Sequence, residues 1–308
     1  MSELTQAQKD LLKEISGLSC SPGGAFNIRA NGGLAQRQVT DTISITSKED
    51  VSGIDIHISS DCRGETMYIP VVIDESGMTD VVYNDFFIAD NADVTIIAGC
   101  GIHNCGNDDS QHDGIHRFFV GKNAKVKYIE NHYGSGDGNG KRILNPVTEV
   151  YQEEGSSVEM EMVQIKGVDS TIRKTSAKLE KDAKMVVRER LMTHGSQTAV
   201  SEYMTELNGD GSSADVVSRS VARDNSYQKY VSRIVGNAEC TGHTECDAIL
   251  MDNARVLAVP ELDAANLDAS LVHEAAIGKI AGDQLIKLMT LGLTPEEAEE
   301  QIINGFLA

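Results

Sequence analysis

Between its two ends the chain is written in short stretches where apolar and polar residues alternate, broken by clusters of Gly, Asn, Asp and Ser. Alternation with a period of two marks a strand buried on one face, and the clusters between are turn chemistry. Val51 to Ser59, Val94 to Ala98, Lys125 to Glu130 and Met185 to Met192 are examples, and the pattern begins at about Ser19. One turn unit recurs: Asp90-Asn91-Ala92-Asp93-Val94, Lys122-Asn123-Ala124-Lys125-Val126, Lys181-Asp182-Ala183-Lys184-Met185 and Asp252-Asn253-Ala254-Arg255-Val256. Each joins a polar turn to a small residue and then a strand, and Gly155-Ser156-Ser157-Val158 is a weaker copy. A repeated turn-plus-strand unit predicts a β-solenoid, in which every coil buries its inner face against its neighbours. A β-sandwich with similar turns is the alternative.

The ends follow a helical period instead. Leu4, Leu11, Leu12, Ile15 and Leu18 form an apolar stripe, Thr5 and Gln8 have capping-box form, and Gly17 stands where the helix should stop. Residues 1–18 therefore read as a short amphipathic helix. At the other end Leu285, Ile286, Leu288 and Met289 make a stripe closed by Gly292. Thr294, Pro295 and Glu297 then give an N-cap, a first-turn proline and a capping box. Ala298, Ile302 and Ile303 supply the apolar side, and Gly305 is the expected end. Residues 276–308 thus read as a helical hairpin that either caps the solenoid's open end or offers a docking face. Only Gly134 to Gly140 reads as a flexible loop, so residues 19–275 are taken as one β domain.

Charge and composition narrow the partners. The 308 residues carry 27 Lys plus Arg against 47 Asp plus Glu, a net charge of -20, which repels a polyphosphate backbone and argues against nucleic acid. With no Trp and 5% aromatic residues, the stacking platforms of sugar-binding grooves are scarce. No apolar run approaches the ~20 residues of a membrane-spanning helix. Met1 to Leu18 mixes charges rather than forming a signal peptide, so the expectation is a soluble, cytoplasmic protein without a membrane partner. The six cysteines show no tight even spacing and read as reduced thiols.

Two regions carry candidate chemistry. Cys100, His103, Cys105, His112 and His116, beside Asp108, Asp109 and Asp113, include enough soft and borderline ligands for zinc or iron. A polar, turn-rich loop with packed cysteines is the plainer reading. The second region holds Cys240, His243 and Cys246, followed by His273-Glu274. A thiolate is needed to accept sulfur or bind iron, and the acidic neighbours Glu245 and Asp247 disfavour it. On these residues alone Cys246 reads as structural. No phosphate-binding Gly-x-x-x-x-Gly-Lys-Ser/Thr loop is present, so any ATP must be bound by another chain.

From Thr244 to Phe306 the chain resembles the C-terminal core of the SufB/SufD family of iron-sulfur cluster assembly proteins. The resemblance rests on Glu245-Cys246-Asp247-Ala248-Ile249-Leu250, His273-Glu274-Ala275-Ala276-Ile277-Gly278-Lys279-Ile280, Asp283-Gln284-Leu285, Leu291-Gly292-Leu293, Glu296-Glu297-Ala298 and Ile303-Asn304-Gly305-Phe306. It implies a mainly β fold: a right-handed parallel β-helix core that dimerises, with C-terminal helices that dock a SufC-like ABC-type ATPase. It also implies a scaffold rather than an enzyme. Cys246 matches the scaffold cysteine, and His273 and Glu274 match the pair proposed to hold iron or the transient iron-sulfur cluster. Cys100, His103 and Cys105 are further candidates to complete the ligands, because Val272 stands where the family usually has an acidic residue. As all three matched residues lie in one chain, a homodimer with two ATPase subunits is expected, served by a sulfur donor and apo-protein acceptors. Competing readings are a metal-dependent β-helix enzyme acting on uronic-acid polymers and a purely structural regulator of the ATPase.

Overall fold

The computed structural model describes residues 4–18 and 23–308; Cys20 and the expected start of the β region at Ser19 lie outside them. Helix α1 (Gln6–Ser16) precedes strands β1 (Phe26–Ala30), β2 (Gly33–Gln38), β3 (Ile43–Ser47), β4 (Gly53–Ile58), β5 (Arg63–Ile73) and β6 (Thr79–Ile88). Next come β7 (Asp93–His103), β8 (Ser110–Val120), β9 (Lys125–Ser135), β10 (Arg142–Leu144), β11 (Val147–Gln152), β12 (Ser157–Lys166) and β13 (Ser170–Leu179). Then follow β14 (Lys184–Thr193), β15 (Thr198–Leu207), β16 (Ser213–Ala222), β17 (Tyr227–Gly236), β18 (Thr241–Leu250), β19 (Arg255–Ala264) and β20 (Ser270–Gly278). Helices α2 (Gly282–Thr290) and α3 (Pro295–Leu307) end the chain.

From β4 onward successive strands alternate between two sheets and pair in parallel with the strands of the next coil. The first sheet runs β2-β1-β5-β7-β9-β12-β14-β16-β18-β20 and the second β19-β17-β15-β13-β10-β8-β6-β4-β3, with β11 extending β10 between β8 and β13. This is the parallel β-solenoid expected. Inward residues of both sheets make one continuous core, from Ile56 and Phe86 through Tyr128 and Val187 to Ile234 and Cys246.

The recurring turn explains how the coils stack. Asn91, Asn123, Asp182 and Asp252 sit at φ 62, 55, 56 and 53°, the left-handed region that Asn and Asp tolerate best after glycine. In the first three the following Ala is fully buried, and a larger side chain there would push the coils apart. The Asn91 amide donates to the Lys122 carbonyl at 2.8 Å, and that of Asn123 donates to Glu154 at 3.0 Å. Thus each turn is hydrogen-bonded to the next. Gly134 to Gly140 differs from expectation for the same reason: the Gly138 and Gly140 amides donate to the Asn104 and Gly106 carbonyls at 3.1 and 3.0 Å. A Cβ on Gly136, Gly138 or Gly140 would collide with the backbone beneath, so the glycines allow close stacking rather than motion.

The two ends of the solenoid are unlike. At the start, the antiparallel pairs β1–β2 and β3–β4 close both sheets. The Thr5–Gln8 capping box forms as expected. Leu11, Leu12 and Ile15 of α1 pack on Phe26, Ile28 and Val72, with Gly101 leaving room for Leu11. At the far end nothing covers β19 or β20 among the described residues, and their side chains are half-buried or exposed. The hairpin does not cap this opening. Helix α3 lies beside β16, where Ile303 and Leu307 pack on Val221 and Met251. It also continues past Gly305 to Leu307, while α2 has no buried residue.

Candidate functional site

Parallel register lines the inward residues up in rows. One row of the first sheet is Glu130, Met162, Glu189, Ser218, Cys246 and Ala275, and the next ends in Val216, Thr244 and His273. Cys246 and His273 therefore project into the same lumen from adjacent strands, offset by two residues, which separates their backbones by about 8 Å. Cys246 is 1% exposed. Burial first, then Glu189 and Asp247, push its thiol up to about 12, so at neutral pH it keeps its proton. His273 belongs to the last strand and is half-exposed, yet its Nδ1 is buried without a hydrogen-bond partner. Other buried polar atoms along the solenoid, among them Asn84 Oδ1 and Gln152 Oε1, are unpaired in the same way, so what singles out His273 is its place on the last coil.

Glu274 is on the other side of the wall. As the neighbour of an inward residue in a strand it must face outward, and there it meets Glu245, directly opposite in register, and His243. The ligand atoms of these three lie within 4.8 Å of one another, and they are the one such metal-capable group among the described residues. The expected trio of Cys246, His273 and Glu274 is thus divided, two members inside and one outside.

Residues 100 to 116 are divided as well. His103 and Cys105 pair with each other, Nε2 to Sγ at 3.1 Å, and Cys105 is exposed. Cys100, His112 and His116 are buried. Burial opposes a Cys100 thiolate, but the imidazoles of His112 and His132 outweigh it and lower the thiol. Five strand spacings separate β7 from β18 in the sheet order, about 24 Å, so Cys100 cannot share ligands with Cys246 in one chain.

Sequence reading missed what lies between them. Arg173 spans the lumen, bonding Glu130 and standing 3.7 Å from Glu189, whose other contacts are Ser201 at 2.7 Å and Ser218 at 2.6 Å. Tyr128 donates to Glu130 at 2.9 Å, and His132 approaches the same carboxylate at 3.6 Å. The signal was available: Glu130 and His132 continue the alternation of Val126 and Tyr128, placing charge where the period requires an inward residue.

Residues 72–306 match the family described as SUF system FeS cluster assembly, SufBD core domain. The chain belongs to the SufBD family. An iron-sulfur cluster assembly SufBD family protein of Archaeoglobus fulgidus is 31% identical over 230 residues, 73% of this chain and 60% of the relative. Those of Methanocaldococcus jannaschii and Pyrococcus horikoshii are 28% and 33% identical over 237 and 206 residues, covering 76% and 65% of this chain and 74% and 60% of theirs. The chain spans about 60% of the length of the first two curated relatives it matches. In this SufBD protein the match takes in Cys100, the lumen polar string, Cys246, His273 and Glu274 alike. No helix among the described residues is long and apolar enough to cross a membrane, and the described cysteines are all free.

Proposed function

We propose that this chain is a scaffold for iron-sulfur cluster assembly in which Cys246 and His273 hold the nascent cluster. The observation that carries the reading is a shielded thiol beside an imidazole whose buried Nδ1 has no partner, at the one open end of the solenoid. Thiolate and imidazole together suit iron-sulfur chemistry and bind less tenaciously than a full set of thiolates. The iron and sulfide are cargo, and the chain's own part is to present ligands and control a proton. Within the lumen Cys246 Sγ–H is held against ionisation by burial and by Glu189, so the thiol is shut off electrostatically although the end of the solenoid is open. Admitting water to the thiol removes the largest of these penalties and a cation beside it offsets the others, which frees the thiolate to ligate iron or to take the outer sulfur of a donor persulfide, whose own thiolate leaves.

The geometry also supports a two-fold dimer through β20. Strand β19 carries Pro260, which has no amide to donate, and acidic Glu261 and Asp263, features that blunt an edge. Strand β20, Ser-Leu-Val-His-Glu-Ala-Ala-Ile-Gly, has no proline, and Ile277 is 38% exposed on it. Pairing two such edges brings two His273–Cys246 half-sites together. The uncovered face of α2, with Ile286 60% exposed, is the docking surface for an ABC-type ATPase whose movement opens that junction in the cytoplasm. The scaffold itself catalyses no ATP hydrolysis.

The test is anaerobic reconstitution with iron and sulfide, following visible absorption. Wild type should develop a cluster spectrum that Cys246→Ser and His273→Ala both abolish, while Cys100→Ser retains it. A spectrum indifferent to Cys246 and His273, or no cluster in wild type, refutes the assignment and favours a structural role.

A further inference from the structure

The trio on the outer wall was not expected as a unit. His243 and Glu245 are alternate residues of β18, and Glu274 stands beside Glu245 on β20, so two carboxylates are directly opposed across one strand pair. Like charges so placed repel; His243 stands 3.5 Å from Glu274 and Arg219 acts on Glu245 from farther off, but neither carboxylate has a Lys or Arg within ion-pairing distance among the described residues. Asp247, next along the same face of β18, adds a third carboxylate. The natural remedy for such a group is a cation.

The imidazole is prepared for one. His243 Nδ1 is 2.8 Å from Asp215 Oδ1, and Asp215 is itself held by Arg188. With Nδ1–H engaged by Asp215, Nε2 is the nitrogen left to bind a metal when the ring is neutral, and it faces Glu274 at 3.5 Å from Oε2, where a proton bridges the two in the absence of an ion. A carboxylate that fixes the tautomer and ring of a histidine is the usual support behind a metal ligand. One nitrogen and two carboxylates, all mutually within 4.8 Å, can meet around one ion at bond lengths of about 2.0–2.2 Å after small rotamer changes. His243 and Glu245, though not Glu274, line a cavity of about 440 Å³ together with Asp215, Arg188, Arg190 and Arg219, which gives water access to the group from that side.

We infer that His243, Glu245 and Glu274 form a divalent transition-metal site on the outer wall, supported by Asp215 and separated by the sheet from the thiol of Cys246. The donor set is borderline to hard and lacks sulfur, which suits a labile Fe(II), Mn(II), Co(II) or Zn(II) ion. That the ion is ferrous iron waiting beside an assembly site rests on the function proposed above; the site does not. Glu274 then serves iron before it meets sulfide, and Cys246 and His273 serve it afterwards.

Co(II) titration of the whole chain, followed by visible spectroscopy and calorimetry without sulfide, tests this. One ion per chain should bind with weak d–d bands and no thiolate charge-transfer band, and Cys246→Ser should leave both spectrum and affinity unchanged. His243→Ala should abolish binding, Glu245→Gln should weaken it, and Asp215→Asn, which keeps the fold and the ligands, should weaken it about tenfold. Binding unaffected by His243→Ala or Glu245→Gln, a charge-transfer band lost in Cys246→Ser, or no binding at all overturns the inference. Co(II) binding in a chain that fails to assemble a cluster would refute the proposed function and leave this site standing; a cluster without Co(II) binding at His243 would do the reverse.

Discussion

At the scale of single residues, alternation decides more than proximity. His273 and Glu274 are neighbours in sequence and were read as a pair, yet in a strand they must face opposite sides, so motif reading joined what geometry divides. Cys246 is legible as a candidate, and its acidic neighbour Asp247 already tells against a thiolate; burial and Glu189, the larger causes, are not legible, because Glu189 reaches it only through the register of β14, β16 and β18. Replacing Glu189 by Gln removes a negative charge from that row, and iodoacetamide labelling of Cys246 at pH 8, read by peptide mass spectrometry, should quicken about fivefold. An unchanged or slower rate would show that Glu189 does not act on the thiol. His116 offers a pH test. Burial foremost lowers it to about 4, so it stays neutral in the fold. As pH falls below about 6.5 the unfolded chain takes up a proton that folded His116 refuses until about pH 4, and stability drops across that window by about 3 kcal/mol. His116→Phe, stacking in its place near Phe86, should flatten the fall in denaturant midpoint between those pH values; an equally steep fall would locate the acid sensitivity elsewhere.

Among the elements, the turns were the most legible part of the chain, since the same backbone conformation recurs and selects Asn, Asp or Gly at one position in each coil. The strands around them followed from period two. Gly134 to Gly140 reads as a flexible loop from sequence because its partner is the preceding coil, 32 residues away, and nothing local marks such a contact. The terminal helices were read correctly as amphipathic, but an apolar stripe does not say what it covers. For α3 the answer is Val221 and Met251, which makes Ile303 its anchor, with 4% exposure. Ile303→Asp should release α3 at a loss of about 3 kcal/mol in helix attachment. Amide exchange should then quicken in 295–307 while β5 to β16 stay protected; protection unchanged in α3 would contradict its packing.

For the molecule as a whole, the decisive asymmetry is that one end of the solenoid is sealed by antiparallel hairpins and the other presents two unpaired edges and an open lumen. If β20 joins two copies, Ile277→Arg should shift sedimentation of the full chain from dimer to monomer at micromolar concentration, whereas Leu34→Arg, exposed on β2 at the sealed end, should not. Equal behaviour of the two variants would remove β20 from the interface. The central claim is that the open end holds a cluster through Cys246 and His273 together, and pulsed electron paramagnetic resonance of the reduced, reconstituted protein addresses it most directly. With ¹⁵N-labelled histidine, wild type and Glu274→Gln should both show nitrogen hyperfine coupling from a ligated imidazole, and His273→Ala should lose it; a coupling that survives in His273→Ala, or that vanishes in Glu274→Gln alone, would contradict the assignment.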